Sequence, residues 1–285
     1  MFFIGHKNDV ANNCWKVLPQ FNSTQVFLND DHQYFLQSNI CPHQGSLIRT
    51  GEGRHLTATC PYHGWSWNGK GDPRGSGTVG HSSGSVECKN TTQLTRTPVS
   101  EWSGFMFNLD YKIPVEIDIS GEYQLEEYRQ DIIQANYVPI MDLFLDIDHI
   151  PIVHPGVYDL IDIPNVKDIE WKTWNGGSVQ TVSGGKALWL ALYPNVMFEY
   201  QPGAVFVMVN EIVGPNTTKS HVFKYRDYNF SLGSWVTNNN VWEMAWKQDR
   251  EQAERLEPGW RTIPLENLDQ EKIKFRKYNE KNLDK

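Results

Sequence analysis

The 285-residue chain has few cysteines, no local cluster of basic residues and no long apolar run. Four cysteines are too few for the disulfide framework of a small secreted protein. A membrane helix needs roughly 20 consecutive apolar residues, and a signal peptide needs a basic segment before an apolar core; neither pattern occurs. The formal net charge is −8, which argues against nucleic acid or an anionic membrane as the main partner. We therefore expect a soluble, cytoplasmic protein.

The composition is that of an ordinary globular protein, because 39% of the residues are hydrophobic and only 21% are charged. Residues 1–114 contain short apolar segments separated by Gly, Asn, Asp and Pro, which predicts a small antiparallel β domain. The pattern changes after Pro114. We predict helices over 123–134, 139–150, 235–256 and 265–279, and strands over 187–193, 196–200, 204–213 and 219–225. The expected fold class is α+β, with an all-β domain (1–114) followed by a domain (115–285) whose antiparallel sheet is flanked by helices.

Two short motifs, CPHQGSL and CPYHGW, each place a cysteine close to a histidine. The residues concerned are Cys41, His43, Cys60 and His63. In one interpretation they close a structural zinc site, although such sites usually group their cysteines in C-x(2–4)-C pairs. In the other, the two cysteines bind one iron of a [2Fe–2S] cluster and the two histidines bind the other. The nearby glycines and prolines favour the cluster, because they permit tight, stiff loops around it.

The two motifs resemble those of the Rieske iron–sulfur proteins, in the form found in Rieske non-haem iron oxygenases. The resemblance extends to residues 102–108, 136–154, 248–251 and 271–275. It implies an oxygenase subunit that carries both a [2Fe–2S] cluster and a mononuclear iron. An electron carrier alone would need only about 110 residues, so the second half of the chain is expected to contain the acceptor of the electrons.

A D-x-x-H-x(4)-H string, from Asp146 to His154, suggests where that acceptor lies. On one helix, Asp142, Asp146 and His149 would share a face. His154 would lie about 140° away from His149 on a regular helix, so both histidines can bind one metal only if the helix breaks. Pro151 is expected to break it. The alternative is two unrelated histidines beside a solvated acidic helix.

Asp249 supplies the missing ligand in this hypothesis. It lies in an apolar stripe with 4-3-4-3 spacing, formed by Trp242, Trp246, Asp249, Ala253 and Leu256. A carboxylate in such a stripe is costly unless it is paired or binds a metal. With His149 and His154 it would form a two-histidine, one-carboxylate triad for Fe(II), which leaves positions open for O₂ and substrate.

The resemblance further implies a homotrimer in which the cluster of one subunit serves the iron of its neighbour. In that arrangement Asp146 would bond His149 in its own chain and His63 of the partner subunit. The only nucleotide-like motif, G-x-G-x-x-G at 75–80, has loop sequence on both sides and predicts a flexible surface loop. Electrons are therefore expected from NAD(P)H through a separate reductase, with or without a ferredoxin.

The predicted function is that of a terminal oxygenase that hydroxylates or oxidatively demethylates a small organic molecule. The competing prediction is a Rieske electron-transfer protein whose second half is a docking module, and a zinc-stabilised structural protein is a third. Pocket candidates come from the sheet expected to face the iron, and core packing explains all but the last of them equally well. They are Phe198, Tyr200, Phe206, Met208 and Asn210.

Overall fold

The computed structural model describes residues 2–75, 78–79, 86–87, 92–108, 112–116, 119, 121–158, 169–182 and 187–283. The chain divides into two compact units. One comprises Ile4–Lys112, and the other comprises Met1–Phe3 together with Ile113–Lys285. Among the described residues, no helix has both the length and the apolar composition needed to span a bilayer.

The first unit is built from short strands. They are β1 (Phe2–His6), β2 (Cys14–Val17), β3 (Gln25–Asp30), β4 (Gln33–Ser38), β5 (Glu52–Arg54), β6 (Ala58–Thr59), β7 (Ser66–Trp67), β8 (Pro73–Gly75), β9 (Thr78–Val79), β10 (Val86–Glu87), β11 (Arg96–Pro98), β12 (Ser100–Trp102) and β13 (Phe105–Asn108). A five-stranded sheet has the order β11-β4-β3-β2-β5, and three-stranded sheets have the orders β1-β13-β12 and β6-β7-β8. Antiparallel pairing joins β11 to β4, β4 to β3, β3 to β2, β2 to β5, β12 to β13, β6 to β7 and β7 to β8.

The predicted surface loop at 75–80 is only partly described. Gly75 ends β8, and Thr78 and Val79 pair with Glu87 and Val86. The loop prediction is therefore wrong for these strand residues, since cross-strand pairing outweighs the weak local preference of a Gly- and Ser-rich sequence. The rest of that prediction lies outside the described residues.

The second unit contains one large sheet and five helices among its described residues. The strands are β14 (Tyr123–Ile133), β15 (Ile169–Trp174), β16 (Gly177–Val182), β17 (Leu188–Leu192), β18 (Val196–Gln201), β19 (Ala204–Gly214) and β20 (Thr217–Asp227). The helices are α1 (Tyr137–Phe144), α2 (Ile150–Val153), α3 (Pro155–Tyr158), α4 (Leu232–Leu256) and α5 (Gln270–Leu283). The antiparallel sheet has the order β14-β20-β19-β18-β17-β16-β15, so the predicted α+β class is confirmed.

The helix predicted over 123–134 is wrong. This segment forms β14, an eleven-residue edge strand that pairs with β20 from Tyr123↔Asp227 to Ile133↔Thr218. Its Glu, Gln and Arg residues favour helix in isolation, but a long neighbouring strand offers a hydrogen-bonded ladder that local propensity does not take into account. Alternation then sends Arg129 and Asp131 toward α4, where Arg129 pairs with Glu243 and Asp131 accepts a bond from Trp246.

The core of this unit lies between one face of the sheet and the helices α1, α4 and α5. Strand side chains from that face pack with the helix side chains in a single apolar cluster. Its larger members are Tyr137, Met141, Tyr193, Met197, Phe206, Met208, Trp235, Trp242, Trp246 and Phe275. Because α4 crosses this core, a polar residue on its buried side is carried into the apolar interior.

Candidate metal centres

Cys41 and Cys60 begin two loops with the same backbone pattern. In each, the amide of the glycine four residues later donates to the cysteine carbonyl, at 2.9 Å for Gly45 and 3.0 Å for Gly64. Both glycines have φ of 74°, a left-handed conformation that a side chain would strain. The prediction of positive-φ glycines beside the motifs is therefore confirmed. Two matched loops present their cysteine and histidine side chains to one shared space.

The two thiols are buried and form no disulfide. Cys41 is 3% exposed and Cys60 is 1% exposed. Burial raises the pKa of the Cys41 thiol, and contact with Cys60 adds to the rise while backbone amides of the loop oppose it. Two adjacent buried thiols can both bind one metal centre, which would deprotonate them.

The two imidazoles face each other across the same space. His43 Nδ1 lies 3.2 Å from His63 Nδ1. The His43 ring stacks on Trp65 at 4.8 Å, and the Tyr62 ring lies 3.9 Å from the His63 ring. Two sulfur and two nitrogen donors held by aromatic neighbours fit a [2Fe–2S] cluster with mixed ligation.

In the second unit, His149, His154 and Asp249 come together although about 100 residues of sequence separate the last from the others. The two Nε2 atoms are 3.1 Å apart. Asp249 Oδ1 lies 2.9 Å from His154 Nε2 and 3.3 Å from His149 Nε2. Lys247 and Arg250 do not neutralise Asp249, because they pair with Glu251 and Asp131 instead.

The backbone around the histidines differs from the predicted kinked helix. Helix α1 ends at Phe144, so Asp142, Asp146 and His149 do not share one helix. His149 is the N-cap of the four-residue α2, and His154 follows it with a non-helical ψ of 50°. Pro151 lies in the first turn of α2, where its missing amide costs nothing. Here it helps to start a short helix rather than to break a long one.

The outer nitrogen of each imidazole bonds to a neutral oxygen. His154 Nδ1 donates to Gln248 Oε1 at 2.8 Å, and His149 Nδ1 donates to the main-chain carbonyl of Asp146. These bonds direct both Nε2 atoms toward Asp249. There each Nε2 atom can donate a proton to the carboxylate or, once deprotonated, bind a metal.

Asp249 is ionised in this setting. Burial pushes the pKa of its carboxyl upward, but its contacts with His149 and His154 outweigh burial and hold the pKa below the usual value. Two neutral imidazoles and one carboxylate are the donor set of non-haem Fe(II) sites with open coordination positions. The residues present therefore fit a mononuclear iron.

The predicted contact between the Asp146 carboxylate and His149 is not present. Its Oδ2 accepts from Lys272 Nζ at 2.6 Å, and its Oδ1 accepts from the Asp148 amide at 3.0 Å. The link to His149 runs through the main-chain carbonyl, because the chain turns sharply after α1 and brings that carbonyl over the imidazole. Asp146, His149 and Lys272 line a cavity of about 360 Å³ that the ends of α1, α4 and α5 enclose.

The chain matches the family described as the Rieske [2Fe-2S] domain over residues 1–87. The N-terminal part of the chain is a Rieske [2Fe–2S] domain. The chain is 24% identical over 239 residues to putrescine 2-hydroxylase of Ralstonia nicotianae, and the match covers 70% of this chain and 62% of that protein. It is 25% identical over 198 residues to the carnitine monooxygenase oxygenase subunit of Escherichia coli, covering 61% and 50%. The chain thus spans about half to three-fifths of these relatives.

Solved structures share the fold of nearly the whole chain, including the part that follows the Rieske domain. The quaternary ammonium Rieske monooxygenase CntA, bound to an inhibitor, aligns with a TM-score of 0.73 at 17% identity, covering 97% of this chain and 86% of that one. Naphthalene 1,2-dioxygenase from Rhodococcus sp. aligns with a TM-score of 0.66 at 14% identity, covering 90% and 76%. The chain has the fold of the Rieske oxygenases.

The predicted pocket residues divide between the two faces of the sheet. Phe206, Met208 and Asn210 face the helices: the first two belong to the core cluster, and the Asn210 amide reaches Met197 Sδ at 3.3 Å. Phe198 and Tyr200 alternate with Met197 along β18, so they lie on the opposite face. Their assignment to the pocket is therefore wrong, because the strand register places them away from α4.

Sequence reasoning missed two residues beside the triad. Gln248 precedes Asp249 directly, and an amide next to a candidate ligand was a usable signal. Glu199 lies two residues after the buried Met197 on β18 and therefore on the same face, but this lone carboxylate between two aromatic residues was not among the sequence-based predictions. Desolvation raises its pKa to about 7, and the charge of Asp249 adds to the rise while His154 opposes it.

Proposed function

We propose that the protein is the terminal oxygenase of an electron-transfer system. The observation that carries the proposal is the convergence of His149, His154 and Asp249 in a chain that also carries a Rieske domain. Residues 1–114 would form the electron-accepting domain and residues 115–285 the catalytic domain. The chain would hydroxylate or oxidatively demethylate a small organic molecule.

Electrons would come from NAD(P)H through a separate reductase, with or without a ferredoxin, and enter at the cluster held by Cys41, His43, Cys60 and His63. The proposed assembly is a homotrimer in which each cluster serves the iron of the next subunit. The cavity beside Asp146 and His149 would receive His63 of the partner subunit. The proposed location is the cytoplasm, where NAD(P)H is available to such a reductase.

His149, His154 and Asp249 would hold the iron, which would supply O₂ activation driven by electrons from the cluster. The roles of the protein residues follow from the geometry. Asp249 lowers the net positive charge of the metal site, and the two imidazoles keep their Nε2 atoms directed inward. Gln248 and the Asp146 carbonyl hold the imidazoles in that orientation. The apolar side chains of the core exclude water from the inner side of the site.

We propose a small organic cation as the substrate class. The two curated relatives are named for putrescine and carnitine, and a third, from Beta vulgaris, is a choline monooxygenase, 28% identical over 90 residues. Each of these molecules carries a positively charged nitrogen at neutral pH.

Iron analysis together with oxygen uptake tests the function. We expect about three irons per chain, two in the cluster and one at the triad. With a surrogate reductase, O₂ consumption should depend on substrate and match product formation. A chain with two irons and no substrate-dependent uptake would be an electron carrier, and colourless protein that binds zinc would contradict both functions.

The first prediction concerns Asp146. Asp146→Asn should keep both metals bound but slow product formation about 10- to 100-fold, as is usual when a group supporting a metal ligand is changed. The physical reason is that the amide removes the negative charge that pairs with Lys272 and that would accept from His63 of the partner subunit, while the main-chain carbonyl that orients His149 stays in place. Product formation under single-turnover conditions, with iron content measured in parallel, checks this outcome.

Asp148→Asn is the matched control, because this neighbouring carboxylate is exposed and its loss changes the net charge by the same amount. It should retain wild-type turnover. Normal turnover in Asp146→Asn would contradict the bridging role, whereas loss of iron in that variant would indicate a purely structural one.

A further inference from the structure

Glu199 occupies an unusual position on the inner face of the sheet. It lies on β18 directly opposite Trp189 on β17 and Phe206 on β19. Residues directly opposite each other in antiparallel strands point to the same face, so the carboxylate lies between two aromatic residues. Phe206 belongs to the core cluster, which identifies this face as the one that α4 covers.

The carboxylate is bonded by neutral donors. Trp242 Nε1 donates to one oxygen at 3.2 Å, and Gln201 Nε2 donates to the other at 2.7 Å. Within the described parts of the chain, no lysine or arginine lies at ion-pair distance from it. The other carboxylates of this region are paired: Glu243 with Arg129 and Lys224, and Asp142 with Arg276.

Glu199 also interacts electrostatically with two residues of the candidate iron site, Asp249 and His154. Its pKa is raised to about 7, first by desolvation and then by the negative charge of Asp249, while His154 lowers it. The Glu199 side chain is only half-buried, so part of its surface stays accessible to a small ligand. A desolvated carboxylate without a cation is costly, so a ligand that supplies the cation would be bound strongly.

We propose that Glu199 binds the ammonium group of the substrate and thereby orients the molecule toward the triad of His149, His154 and Asp249. The inference rests on the proposed function for the triad, but the anchor itself is a separate binding site. Trp189, directly opposite Glu199 on β17 and only partly buried, provides an apolar surface that suits the methyl or methylene groups around a charged nitrogen. Trp242 fixes the direction of the carboxylate.

Glu199→Gln removes the charge of the anchor and keeps an acceptor for Trp242; the new NH2 group replaces the oxygen that accepts from Gln201, whose own amide can turn to accept from it. The amide oxygen can still accept from Trp242, so the fold should be kept while the charge is lost. The probes are choline, carnitine and putrescine, together with 3,3-dimethylbutan-1-ol, the uncharged carbon analogue of choline. Equilibrium binding to the metal-loaded full chain is measured by titration calorimetry. Glu251→Gln is the control, because this glutamate is exposed on α4 and its loss changes the net charge equally.

We expect at least one of the three cations to bind the wild-type protein, and Glu199→Gln to weaken that binding about tenfold or more, the loss typical of a charge-assisted hydrogen bond. Binding of the uncharged alcohol should change less than about twofold, as should all binding to Glu251→Gln. Three results would overturn the proposal: no binding of any cation, unchanged binding in Glu199→Gln, or equal losses for charged and uncharged probes.

Iron content and O₂ uptake, measured on the same samples, separate this inference from the proposed function. If the protein holds three irons and couples uptake to a product while Glu199→Gln binds cations normally, only the anchor is wrong. If cations depend on Glu199 for binding but the triad holds no iron, the anchor stands and the oxygenase function is wrong.

Discussion

At the scale of single residues, the candidate iron site depends on which nitrogen of each imidazole is free. His154 is fixed by Gln248, whose Oε1 accepts from Nδ1 at 2.8 Å. His149 is fixed by the main-chain carbonyl of Asp146. A side chain therefore orients one ligand and the backbone orients the other. A substitution can therefore remove the Gln248 contact without altering the backbone, whereas no substitution removes the main-chain carbonyl of Asp146.

Gln248→Leu should lower the affinity for Fe(II) about 10- to 100-fold, because His154 then loses the acceptor that selects its tautomer and orientation. Metal titration of the chelated, cluster-containing protein measures this affinity. The visible absorption of the cluster should be unchanged, since Cys41 and Cys60 are held in separate loops. Gln248→Glu keeps an acceptor oxygen and should restore most of the affinity; equal losses in both variants would contradict the positioning role.

At the scale of secondary structure, β14 and α4 are joined by charged groups as well as by apolar packing. Lys224 on β20 is 1% exposed, and its ammonium group bonds Glu243 on α4 and Glu127 on β14. Arg129 on β14 also pairs with Glu243. A helix predicted for 123–134 would have had none of these partners. Because Glu127 and Arg129 on β14 form these ion pairs, the polar edge strand is held against the core.

Lys224→Met should reduce the free energy of unfolding by about 2 kcal/mol, because it removes a buried cation and leaves Glu243 and Glu127 with Arg129 as their remaining partner. Denaturant unfolding followed by tryptophan fluorescence measures the change. The control is Lys247→Met, which breaks an exposed pair with Glu251 on α4 and should cost no more than about 0.5 kcal/mol. Similar losses in both variants would argue against a buried network that holds β14 to α4.

At the scale of the whole molecule, the proposed function requires two metal centres in two separate units of the chain. The candidate cluster ligands lie in the first unit and the candidate iron triad lies in the second. In the proposed trimer, electrons leave the cluster of one subunit and enter the iron of its neighbour. Two inactive variants can therefore complement each other, provided that they assemble together.

Cys60→Ser should remove the cluster and Asp249→Ala should remove the iron, so each variant alone should be inactive. When the two chains are co-expressed in equal amounts, random trimers should regain about a quarter of wild-type activity, since half the irons are intact and half of those have an intact neighbouring cluster. Product formation by the mixed preparation checks this. No recovery, in trimers proven to be mixed, would indicate that electrons stay within one chain.

Several features followed from the sequence because they are local. The Cys41–His43 and Cys60–His63 pairs lie in short loops whose glycines set the backbone, so spacing alone predicted two converging pairs. The apolar stripe of α4 singled out Asp249, since a carboxylate at that helical phase must be buried. The α+β class followed from the change of pattern after Pro114.

Other features were decided by contacts between distant segments. Pairing with β20 turned 123–133 into a strand against its helical propensity. Strand register, which a shift of one residue would reverse, placed Glu199 rather than Phe198 or Tyr200 beside α4. The turn after Phe144 gave the Asp146 carbonyl, not its carboxylate, to His149. The sequence by itself determined which ligand types are present, because spacing and hydrophobic phase are local. Only the tertiary structure decided which groups support them, because that depends on how separate strands and helices meet.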